Sequence, residues 1–79
     1  MDNFKSYKKI FMETFALEED KVNENVTMEN TELWDSVGHI NLVATVEDVF
    51  HIEMTLDEMS ELISFEAGIE ILRKYGIEI

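Results

Sequence analysis

Apolar residues recur at helical spacing along three parts of this chain and lapse in one long stretch between the first two. Phe4, Tyr7, Phe11 and Phe15 are separated by three or four positions with Ile10 beside them. Asp2 or Asn3 stands where a cap is needed, so the pattern predicts an amphipathic helix over residues 3–16. From Leu17 to Asp35 the period gives way to LEEDKVNENVTMENTELWD, with single apolar anchors at Val22, Val26, Met28 and Leu33. A connection of this length in so short a chain commonly carries function.

From Ser36 to about Phe50 the helical period returns on two sides at once. Leu42, Val43, Val46, Val49 and Phe50 make one stripe. Val37, Ile40 and Ala44 make another, with Asn41, Glu47 and Asp48 along its edge. A helix resting on one core needs a single stripe. The second is therefore either covered by another helix or left out as a docking surface, and it begins beside Ser36. After HIEM, whose alternation is too short for a sheet, Thr55 and Glu58 form a capping box that opens a short helix ending near Leu62. Ser64 caps a last helix, FEAGIEILRKYG, with Phe65, Ile69 and Leu72 on one face and Arg73 and Lys74 at its negative end. Gly76 stops it, and Gly68 inside it is expected to cost about 1 kcal/mol against Ala. Four helices, one of them very short, predict an all-α bundle with a long first loop.

Length and charge narrow the function. A chain of 79 residues is expected to form one domain, residues 1–79. Eighteen Asp and Glu against six Lys and Arg give a formal charge of -12. No cation occurs between Lys21 and Arg73. Nucleic acid and anionic membrane surfaces are excluded as partners by repulsion, and a basic protein surface is expected instead. Cysteine is absent, so neither disulfides nor a thiolate of the chain's own can act. No segment approaches the ~20 apolar residues of a membrane span, and the N-terminus lacks the pattern of a leader, so a cytoplasmic protein without membrane insertion is expected.

Candidate chemistry is sparse. His39 and His51 are too far apart along one helix to share a metal ion, and both are expected on the surface or its rim. DEMSE lacks the spacing and glycine of a calcium loop. Asp35, Ser36 and His39 on one helical turn supply no pocket or oxyanion hole, which argues against hydrolysis. Ser36 then has two readings. Either its oxygen caps the helix, or Asp35 takes the cap and the Ser36 hydroxyl is left free at the positive end of the helix dipole. In that second place an attached phosphodiester would be stabilised.

The stretch DSVGHINLVATVEDVFHIEM, continued through TLDEMSELISFEAGIEIL, resembles the acyl carrier and peptidyl carrier proteins over essentially the whole chain. It is similar to their Asp-Ser-Leu attachment motif followed by an acidic-apolar second helix. The resemblance implies that Ser36, within Asp35-Ser36-Val37, receives a 4'-phosphopantetheine arm from coenzyme A through a magnesium-dependent phosphopantetheinyl transferase. Acyl or aminoacyl groups would ride on the arm as thioesters, and the protein would catalyse nothing. Enzymes that load and transfer acyl groups would dock through basic patches on Asp35, Val37, Ile40, Asn41, Ala44, Glu47 and Asp48. A stand-alone monomer is expected. In fatty-acid members the bundle core also shelters an aliphatic chain.

The sequence departs from the fatty-acid carriers where it has Gly38 and Asn41 in place of acidic residues, Val37 for the usual Leu, and Ala44 for a bulky residue. These departures favour a carrier dedicated to one pathway, such as modification of a surface polysaccharide, an amino acid or a specialised metabolite. Trp34 fits that class, and it equally fits a bulky side chain anchoring the loop. The alternative to a carrier is a non-catalytic acidic helical module that binds a basic partner, for instance by imitating nucleic acid.

Overall fold

The computed structural model describes residues 2–79 and contains four α-helices: α1 Asn3–Phe15, α2 Ser36–Phe50, α3 Leu56–Glu61 and α4 Phe65–Lys74. A 3₁₀ turn, Glu19–Lys21, interrupts the first connection. No strand forms among the described residues, where an isolated antiparallel bridge joins Thr27 to Ser64. The all-α bundle expected from the periodicity is the fold observed.

Each helix begins on a side-chain cap. Asp2 accepts from Lys5 N, Ser64 accepts from Ala67 N, and Thr55 with Glu58 closes both bonds of its capping box. These caps satisfy N–H groups that the first turn cannot satisfy itself. The cap of α1 is thus Asp2 of the two candidates. At their C-termini α1 and α2 end on Ala16 and His51 in the left-handed region, with φ of 54° and 55°.

The core takes one face from each of the long helices. Tyr7, Phe11, Leu42, Leu62 and Leu72 are its largest fully buried side chains. Burying each apolar side chain of this size contributes roughly 1.5–3 kcal/mol. Phe11 meets Tyr7, Phe15, Trp34 and Phe65 edge-on, with ring centroids 5.0–5.6 Å apart. This edge-to-face geometry suits the ring quadrupoles.

The long connection is tied down rather than loose. Val22, Val26 and Trp34 are buried, while Phe65 N donates to Val26 O at 3.0 Å and Met28 N to Ile63 O at 2.9 Å. Asn30 accepts from Thr27 N at 2.9 Å and donates to Asn25 O at 2.8 Å, which folds the loop on itself. Two sequence expectations need correction here. Leu33 does not anchor the loop, being 48% exposed, and Trp34 next to it does.

The second concerns Gly68, which is not a helix weakness that alanine would relieve. A Cβ there would lie 2.0 Å from the Tyr7 hydroxyl and 2.9 Å from Leu62 Cδ1. The hydroxyl is fixed because it donates to Phe65 O at 2.7 Å in a buried site. Gly68 therefore lets α4 approach α1 closely, and packing outweighs helix propensity.

Candidate functional site

The start of α2 is built by the residue before it. Asp35 lies in extended backbone and its Oδ1 accepts from Gly38 N at 2.8 Å, so Asp35 is the cap. Ser36 is consequently the first helical residue. It is exposed, and its hydroxyl makes no hydrogen bond among the described residues. The N–H groups of Ser36 and Val37 lie in the first turn and have no acceptor within the helix. An exposed hydroxyl, unpaired N–H donors and the positive end of a helix dipole therefore meet at one point.

Gly38 makes the approach to this point possible. A Cβ at Gly38 would lie 2.1 Å from the Leu33 carbonyl oxygen and 3.2 Å from Phe15 Cε1. The chain before Ser36 thus runs directly against the helix it is about to enter. A larger side chain at this position would not fit this path of the loop.

Trp34 and His39 lock the same corner. Trp34 stacks on Phe15 with centroids 4.9 Å apart and planes at 19°, and its Nε1 donates to His39 Nδ1 at 3.0 Å. An indole N–H can only donate, so Nδ1 accepts and the imidazole hydrogen sits on Nε2. That hydrogen is donated to Met59 O at 2.8 Å. One imidazole therefore joins the long loop, α2 and α3. His39 is half-buried with both nitrogens engaged rather than a free surface histidine, whereas His51 is exposed at the end of α2. The role of Trp34 as an anchor was one of its two sequence readings, but the bridge to Met59 joins residues distant in the chain and left no periodic signal.

The outward side of α2 carries Val37, Ile40, Asn41, Ala44 and Asp48, all exposed, with Val37 and Ile40 each 67% exposed. Opposite them Leu42, Val43 and Val46 are buried. Glu47 stands apart from the other residues expected on the docking edge. It is partly buried, and its Oε2 accepts from Met54 N at 2.8 Å, so this carboxylate organises the connection from α2 to α3. Behind α2 lies the core with the fully buried side chains named above. A cleft of about 650 Å³ lies instead at the surface between the C-terminal end of α1 and the long loop, with Phe15, Leu17, Val26 and Leu33 in its wall. No group of His, Asp or Glu among the described residues is arranged to hold a metal ion. No described helix is long and apolar enough to cross a membrane.

Over 72 residues the chain is 33% identical to the acyl carrier protein of Buchnera aphidicola subsp. Baizongia pistaciae (strain Bp), an alignment that spans 90% of this chain and 91% of that protein. The chain belongs to the acyl carrier protein family. Members of this family are carriers rather than enzymes. No family model matches the chain.

Proposed function

We propose that the protein is a stand-alone carrier whose Ser36 hydroxyl takes 4'-phosphopantetheine from coenzyme A. The observation that carries this reading is the division of labour at the start of α2: Asp35 holds the cap and Ser36 Oγ is exposed and unbonded. The residues fit the group. Its phosphodiester would rest at the dipole end of α2, beside the unpaired N–H groups of Ser36 and Val37. When bound, the arm supplies a thiol on which acyl or aminoacyl groups travel as thioesters, in a chain that has no cysteine. Tethering makes delivery to a docked enzyme effectively intramolecular.

Asp35, Val37, Ile40, Asn41, Ala44 and Asp48 form the surface offered to the phosphopantetheinyl transferase and to acyl-handling enzymes with basic patches. The acidic rim steers these encounters and Val37 and Ile40 supply apolar contact. Gly38, Asn41 and Ala44 support a carrier dedicated to one biosynthetic or modification pathway. The whole chain acts as one carrier domain, a cytoplasmic monomer. Family membership favours this reading over an acidic module that imitates nucleic acid.

The test is intact mass before and after incubation with coenzyme A, magnesium and a broad-specificity phosphopantetheinyl transferase. A gain of one phosphopantetheine unit, absent in Ser36→Ala, is expected. No gain by the folded wild-type chain would return Ser36 to a residue of purely structural use.

A further inference from the structure

Lys5, Lys8 and Lys9 share the outward side of α1, with Met12 one turn further along and Phe4 at the near end. The opposite side of this helix, Tyr7, Ile10, Phe11 and Phe15, is buried and packs toward α2 and the core. The lysines therefore point away from α2. Eighteen carboxylates and six Lys and Arg are available. Even so, the ion pair among the described residues joins Lys74 to Glu58 at 3.8 Å, and no carboxylate lies within 4.0 Å of a lysine nitrogen of α1. Self-neutralisation in a chain with this excess of acid would not leave three neighbouring cations unpaired. Between them opens a cleft of about 570 Å³, lined also by Phe4 and Met12 and by the carboxylates Asp2 and Glu19. Phe4 is 43% exposed.

We propose that this face of α1 is a second docking surface, and that its occupant is an acidic segment of a partner protein bearing a bulky apolar side chain. Carboxylates of the segment pair with Lys5, Lys8 and Lys9 while the apolar side chain enters the cleft between Phe4 and Met12. Charge complementarity selects the occupant. Lipid headgroups and nucleic acid are extended anions that would also meet the net charge of -12, whereas a short segment meets the three lysines, with Asp2 and Glu19 the acidic residues of the same cleft. The concavity also suits a single side chain better than a flat surface. This surface is separate from Ser36 and stands whether or not Ser36 is modified.

The test titrates the isotopically labelled full chain with a blocked peptide, Glu-Glu-Leu-Glu-Glu-Leu-Glu-Glu, and follows amide chemical shifts. Shifts confined to Phe4 through Met12 are expected, weakening about tenfold in high salt as screened charge pairs should. They should be lost when Lys5, Lys8 and Lys9 are all changed to Glu. Because that variant adds charge to an already acidic chain, Lys5→Gln, Lys8→Gln and Lys9→Gln together serve as a second, milder test with a smaller expected loss. No shift at millimolar peptide overturns the proposal, as do shifts centred on Arg73 and Lys74 or shifts that survive both sets of substitutions. Binding of phosphatidylglycerol vesicles at this face in preference to the peptide would overturn the assignment of a protein partner.

Discussion

The indole of Trp34 donates its hydrogen to His39 Nδ1 at 3.0 Å, and the far nitrogen of the same imidazole reaches Met59 O at 2.8 Å. The residue before the Asp35 cap and the short third helix are thus joined through one side chain on α2. Of the four helices, α3 has only six residues and none of them is buried. The bond to Met59 O therefore helps to hold it in place, together with the partly buried Met59 side chain and Leu62 at its end.

Removing the indole hydrogen while keeping the ring tests this link. Trp34→Phe is expected to lower unfolding stability by about 1 kcal/mol, the size of one net hydrogen bond, whereas Trp34→Ala should lower it by about 3–5 kcal/mol through lost packing on Phe11 and Phe15. Combining Trp34→Phe with His39→Ala should be less than additive, since both remove the same bond. Urea unfolding followed by far-ultraviolet circular dichroism checks this. Strict additivity would show that the two side chains do not act together.

Asp35 and Ser36 should separate cleanly in stability measurements. Asp35→Ala removes the acceptor for Gly38 N and is expected to cost about 1 kcal/mol. Ser36→Ala removes a hydroxyl without a partner, and alanine is the better helix former, so stability should be unchanged or slightly raised. Denaturant midpoints of both variants decide the matter. A loss in Ser36→Ala as large as in Asp35→Ala would mean that the serine shares the cap.

The four helices were readable because each pairs an apolar period with a local start signal: Asp2, Asp35, Thr55 and Ser64 all lie next to the first turn they cap. The exposed stripe from Val37 to Asp48 was readable for the same reason, as one helix cannot bury two opposite faces on one core. What sequence left open was the choice of cap between two adjacent side chains, which backbone geometry decides. Long-range contacts were illegible. Nothing local distinguishes Glu47 bonding to Met54 N from a solvent-facing carboxylate, and nothing near Gly68 announces the hydroxyl of Tyr7, 61 positions away (68 minus 7).

That contact gives a prediction opposite to helix propensity. Gly68→Ala is expected to destabilise the protein by roughly 1–3 kcal/mol, the usual range for forcing a methyl into a packed site. Tyr7→Phe deletes the oxygen that the new methyl would strike. The double variant should therefore lose less than the sum of the two singles. Thermal or urea unfolding of the four proteins measures this, and a stabilised Gly68→Ala would refute the close approach.

Charge repulsion across the surface should make stability depend on salt. With a net charge of -12 and carboxylates dominating residues 22–72, added sodium chloride screens repulsion and should raise the melting temperature, with divalent cations acting at lower concentration. A melting temperature independent of ionic strength would show that the carboxylates are too widely spaced to matter.

Stability should also change with pH through the contact between α3 and α4. Tyr75 Oη shares its one hydrogen between Glu58 and Glu53 O, and Glu58 also accepts from Thr55 N in its capping box. The hydrogen bond from Tyr75, followed by that from Thr55 N, holds the Glu58 carboxyl below its ordinary 4.5. The same bond, foremost, pushes the Tyr75 hydroxyl from 10.0 up to about 12. A lowered carboxyl contributes stability that is present above 4.5 and is lost as pH falls through the folded value. A raised phenol contributes stability that is complete below 10.0 and is lost as pH rises through about 12. The stability difference between the wild type and Tyr75→Phe should therefore be flat between these limits and shrink on both sides. Alkaline sensitivity will persist in the variant, because burial also pushes Tyr7 well above the usual phenol value. Urea midpoints of the two proteins from acid to alkaline pH give the difference directly. A difference that stays constant across the whole range would mean that the bond contributes without regard to the ionisation of either partner.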